Sequence, residues 1–168
     1  MKIAKTTEIS KHDKRPIAKF YRCHAEDIKN GITLDRCRGI SYEQFRAADR
    51  LVSNYERAFN LRTGGSVINA ERIKQIKNGY NSDRVERQLD ALHSHKLVFG
   101  SLNRKSQEII EHFCLKELPM RQFELKQIPQ WIKGAGTTRL REALDDLVEI
   151  YQKLSVKGKE NAKKYNRQ

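Results

Sequence analysis

Few side chains in this sequence could do chemistry, and their spacing works against most of it. Cys23, His24 and Cys37, together with His12, carry donors that zinc favours. A structural zinc site needs four Cys or His ligands, usually in closely spaced pairs. Only Cys23 and His24 are close, and adjacent side chains diverge, so the set reads as unliganded side chains, with no metal and no cofactor expected. On a helix, His93 and His95 would project about 200° apart, a poor chelate. They read as two solvated histidines. Cys114 follows Phe113 in an apolar patch and reads as a core thiol with no base to activate it. Thr63-Gly64-Gly65-Ser66 lacks the lysine of a phosphate-cradling loop. Asp145 and Asp146 are helix neighbours that diverge. No catalytic set emerges, and the chain is not expected to be an enzyme. The three cysteines are odd in number and widely spaced, which fits reduced thiols in a cytoplasm better than a disulfide framework.

Charge is the stronger signal. The 168 residues hold 34 Lys and Arg against 21 Asp and Glu, a formal net charge of +13. The excess is local. Residues 1–40 carry +5 and residues 155–168 carry +4. Local basic excess points to phosphate, and so to nucleic acid. No run of eighteen apolar residues suggests a membrane span, and the first twenty residues lack the apolar core of a secretory signal.

The elements that must position any site are helical. Residues 1–40 show no sustained apolar period, and Pro16 discourages a long helix, so they read as a flexible basic arm. Ser41 and Gln44 fit a capping box, and Phe45, Ala48, Val52, Tyr55 and Phe59 then fall on one helix face. Glycines 64 and 65 stop that helix. Residues 63–81 fit either a short helical turn or a basic loop. Ser82 opens a further helix whose stripe reads as Val85, Leu89 and Leu92, ending at Gly100. Asn103 can cap the next, with Ile109, Ile110 and Phe113 inward. No segment alternates with the period of a strand. The sequence predicts an all-α fold: a helical domain over residues 41–154, between the basic arm and a disordered basic tail at 155–168.

Within that domain, residues 118–151 have the shape of a helix-turn-helix. A short helix over about Met120–Ile128 is limited by Pro129. Trp131 and Ile132 fit between two helices, and Gly134 and Gly136 permit a turn. Thr137 or Thr138 can cap a longer helix with Leu140, Leu144, Leu147 and Tyr151 inward. In such a motif the second helix enters the major groove by its N-terminal residues. The nucleic-acid candidates are therefore Lys133, Thr137, Thr138, Arg139 and Arg141, with Arg121 and Lys126 on the first helix. Arginine can take guanine O6 and N7 together. Glu142, Asp145, Asp146 and Glu149 make the later half of the helix acidic, a flank that would repel phosphate and suits a protein partner.

Residues from about Tyr42 to Tyr151 resemble a family of small alphaproteobacterial regulators found in phages and gene-transfer-agent systems. Their C-terminal domain is similar to sigma-factor region four. The resemblance is carried by AADRLVSNYERA at Ala47–Ala58, by FCLKEL at Phe113–Leu118, and by Trp131 followed by LREALDDLVEIY up to Tyr151. It covers roughly two thirds of the chain. It implies a cytoplasmic, nucleoid-associated regulator that binds DNA and works on bacterial RNA polymerase as an activator or antiterminator. The sequence departs from the family pattern in its acidity after Leu144 and its Lys- and Asn-rich stretch at 63–81. Two alternatives stand beside it. One is a protein-interaction module that docks on polymerase while the arm contacts nascent RNA or DNA. The other is a phage DNA-packaging or recombination accessory protein.

Overall fold

The computed structural model describes residues 13–33, 36–59, 82–126 and 135–165. Every regular element among them is helical. The described residues hold six α-helices: α1 (Pro16–Lys29), α2 (Tyr42–Phe59), α3 (Ser82–Gly100), α4 (Arg104–Ile110), α5 (Met120–Lys126) and α6 (Ala135–Tyr165). A π-helical turn, Glu111–Leu115, extends α4. No helix is long and apolar enough to cross a membrane among the described residues. The 63–81 segment lies outside them.

The largest departure from the sequence reading is α1. Residues 13–40 are not a loose arm. Pro16 sits at the first helical position, where its missing N–H removes nothing and its fixed φ suits the helix. Ile17, Ala18 and Tyr21 are buried. Tyr21 lies 5.3 Å from the Phe45 ring, and Phe20 meets Phe113 edge-on at 5.0 Å. Three buried apolar positions on a short helix that also carries five charged residues are too few to register as a period; only the neighbours α2 and the π turn make the face recognisable.

α2 begins as its capping box predicts. The Gln44 amide donates to Ser41 Oγ at 3.2 Å, and the Ser41 amide donates to Gln44 Oε1 at 2.9 Å. Its inward face is Phe45, Ala48, Leu51 and Val52, with Tyr55 and Phe59 half-buried at the far end. α3 packs extensively against α2, but on a different stripe from the one expected. Gln88, Ala91, His95 and Val98 are buried, while Leu89 is 40% exposed. His95 is not a solvated histidine. Its ring stacks on Phe99 at 5.3 Å and tilts against Tyr55 at 5.2 Å. Two polar residues on the inward face disguised it in the sequence. Burial lowers the His95 pKa, because the charged ring has no water there.

α4 is capped by Asn103, whose Oδ1 accepts from the Ser106 amide at 2.9 Å. Ile109, Ile110, Phe113 and Cys114 enter the core. The Cys114 thiol is pushed up to about 12 by burial. Leu140, Ala143, Leu144, Leu147 and Tyr151 of α6 complete the core against α2 and α4. The expected disordered tail after Leu154 is corrected in part, because α6 continues as helix to Tyr165.

Candidate nucleic-acid interface

α5 and the start of α6 supply the candidate interface. A Cβ added at Gly136 would meet Glu124 Oε1 at 2.7 Å and Met120 Sδ at 2.8 Å. The first turn of α6 therefore approaches α5 closely. The Gly136 amide donates to Glu124 Oε1 at 2.9 Å. This carboxylate satisfies an open amide at the helix N-terminus and complements its dipole. The Glu124 role went unrecognised in the sequence reading, since the cap comes from the preceding helix twelve residues away. Upstream, His112 Nε2 lies 3.1 Å from the Pro119 carbonyl and its ring 5.2 Å from Phe123, which ties the start of α5 to the core.

On the outer side, Thr138 and Arg139 are exposed at the start of α6, and Thr137 is half-buried. Arg121 and Lys126 are exposed on α5. Arg139 pairs with Glu142 at 3.0 Å, both more than half exposed. A surface pair of this kind contributes about 0–1 kcal/mol and yields readily to a stronger acceptor. Lys133, with Trp131, Ile132 and Gly134, lies outside the described residues, as does the junction after Lys126.

Two sets of predicted contacts are placed elsewhere. Arg141 turns inward. Its Nε donates to the Gly39 carbonyl at 2.6 Å and its Nη2 to the Cys37 carbonyl. The 37–39 segment it holds is also gripped by Asp27. That carboxylate accepts from the Arg38 amide at 2.6 Å and from Arg38 Nη2 at 2.7 Å. Asp27 is fully covered and Arg38 is 70% exposed, so the pair sits just beneath the surface. Hydrogen bonds from Arg38 hold the Asp27 carboxyl below its ordinary range. Arg141 therefore acts as an internal clasp rather than a base contact. Its charge, together with burial as the larger cause, also lowers the pKa of half-buried His24.

The acidic flank is tied in part to the rest of the fold. Asp145 Oδ1 accepts from Gln44 Nε2 at 2.7 Å, so the residue that caps α2 also fixes α6. Asp146 Oδ2 accepts from Asn103 Nδ2 at 3.1 Å and Ser106 Oγ at 3.0 Å, bridging to the start of α4. Glu142, Asp145 and Glu149 of the four expected partner-facing acids are exposed and Asp146 is half-buried; Glu149 pairs with Lys153 at 2.7 Å. Cys37, once counted among zinc donors, is buried, with its thiol 3.4 Å from the Thr33 carbonyl. No cluster of three His, Cys, Asp or Glu side chains suited to a metal occurs among the described residues.

No protein-family model matches the chain, and neither the curated proteins nor the solved structures contain a match to it.

Proposed function

We propose that this protein is a DNA-binding transcription regulator that acts with RNA polymerase, using α5 and α6 as a helix-turn-helix of the sigma-region-four type. The observation that carries the reading is the close approach of α5 to Gly136, with Thr138 and Arg139 left exposed at the outer start of α6. A recognition helix needs its first turn braced from behind and open in front. Exposed Arg121 and Lys126 extend the basic surface onto α5, and the net charge of +13 favours phosphate contact. The polymerase partner, and the roles in activation or antitermination, rest on the resemblance to phage and gene-transfer-agent regulators. Two of the four acidic side chains that would dock a protein, Asp145 and Asp146, are bonded to other helices of the fold, which weighs against a pure protein-interaction module.

Selection from a pool of random 20-bp duplexes tests the reading. The full chain should enrich a sequence motif, and Arg139→Ala should lower affinity for that motif by about 1–3 kcal/mol while relaxing preference at one base pair. Absence of any enriched motif would sink the assignment.

A further inference from the structure

A second basic feature lies away from α5. Between α2 and α6, with Ser94 of α3 on its wall, runs a groove of about 820 Å³. Arg46, Arg50 and Arg57 line it from α2. At about 100° per residue these three fall within about 40° of arc, spread over about 16 Å of helix. None of the three forms an ion pair among the described residues. The groove's Asp49 is already taken by Arg15 at 2.8 Å, which leaves Glu43 as the other acidic group on the lining.

Two of the three arginines lie over aromatic rings. The Arg50 guanidinium lies 4.4 Å from the Tyr151 ring centroid, and that of Arg46 lies 6.0 Å from the Tyr42 ring. Stacking fixes the plane of a guanidinium and leaves its N–H edge for a ligand, the geometry suited to phosphate oxygens. Tyr151 is 8% exposed, and its hydroxyl is buried without a hydrogen-bond partner. An unpartnered buried polar group is unusual in a packed interior, and this one belongs to a residue that lines the groove.

The lining says what kind of polyanion fits. Among the described residues its aliphatic side chains are Ala47 and Val148. An amphipathic helix has no apolar stripe to press against. Polar donors and flat aromatic rings instead match a sugar-phosphate chain. In sequence, α6 runs on from the groove residues to Tyr165 and includes Lys157, Lys159, Lys163 and Lys164.

We propose that the α2–α6 groove binds the phosphodiester backbone of a single nucleic-acid strand, with Arg46, Arg50 and Arg57 as phosphate contacts. The site is separate from the proposed DNA-reading surface. Val148, Tyr151, Gln152 and Ser155 lie on the side of α6 opposite Arg139, and Val148 is about 13 Å farther along the axis. A regulator built this way holds a duplex at one end of α6 and a separated strand along the other.

The test is fluorescence anisotropy of the full chain with labelled twelve-nucleotide RNA and DNA strands. Parallel titrations use a random duplex and a poly-glutamate peptide of equal charge. The expected result is binding of at least one strand type, weakened about tenfold or more by Arg50→Gln/Arg57→Gln, with a salt slope about 1.4 shallower for the two lost contacts. Arg139→Ala should leave strand binding unchanged. Which strand binds tighter identifies the source as RNA or DNA. Less than a threefold loss in the double variant, with thermal melting unchanged, overturns the proposal. So does poly-glutamate binding as tightly as either strand, which would make an acidic protein the occupant, or binding of the duplex alone. Loss of strand binding in the groove variant without loss of motif recognition leaves the DNA-reading proposal intact; failure of motif selection alongside groove-dependent strand binding leaves only this one standing.

Discussion

Arg141→Ala offers the sharpest check on the internal packing. The wild-type guanidinium donates to two backbone carbonyls, those of Gly39 and Cys37, from a half-buried position. A hydrogen bond to a charged group contributes about 1.5–3 kcal/mol, so the two together set an upper bound near 6 kcal/mol. Two effects reduce it. The site is only half-buried, so water can reach the freed carbonyls, and Asp27 still holds the adjacent Arg38 through the amide and the guanidinium. The expected loss is about 2–4 kcal/mol, large among single substitutions. Urea unfolding followed by circular dichroism reads it as a fall in midpoint of about 1 M or more at an unchanged slope. Arg139→Ala, two residues away and exposed, should change stability by less than about 0.5 kcal/mol. The pair separates two roles for neighbouring arginines. Loss of under 0.5 kcal/mol in Arg141→Ala, with specific DNA binding reduced, would refute the internal clasp and return Arg141 to the interface.

Two further outcomes follow from the same packing. Gly39→Ala should be among the most damaging substitutions in the chain, at about 3 kcal/mol or more, because φ is +77° and the new Cβ would lie 1.9 Å from the Phe20 carbonyl oxygen; thermal melting equal to wild type would contradict it. Stability should also depend on pH in two windows. His24 and His95 have pKa values lowered from 6.5 in the folded state, so the unfolded chain binds more protons and stability falls as pH drops below about 6.5. Asp13 and Asp27 are lowered from 3.8, so a second loss begins below about 3.8. A urea midpoint that stays flat from pH 7.5 to 5 would count against the histidine window.

Local signals were legible in residues with a local mechanism. The capping box at Ser41 and Gln44, the cap at Asn103, the stop at Gly100 and the core stripe of α6 each depend on neighbours within a turn or two. Such features follow from helix periodicity and backbone hydrogen bonding alone. The all-helical character follows from the same logic. The candidate interface was legible as a place, residues 118–151, but not as a set of side chains.

What failed did so because a side chain's role was set by a distant partner. α3 turns His95 rather than Leu89 inward because α2 brings Tyr55 and Phe59 to that face. α1 is ordered because Phe113 and Phe45 cover it. Arg141 and Asp145 looked like surface charges beside Arg139 and Glu142, and periodicity could not separate them. Only the contact with residues 37–44, about a hundred positions earlier in the chain, gives them partners within the fold. The groove arginines share one stripe of α2 in sequence, yet they become a site only where Tyr151 of α6 lies beneath Arg50. Sequence by itself determined that the chain is helical, where the locally capped helices at Ser41 and Asn103 begin, and that the chain carries excess positive charge. Tertiary structure decided which charges are spent inside and which remain for a partner, because a hydrogen bond or a stacked ring is formed by proximity in space and not by spacing along the chain.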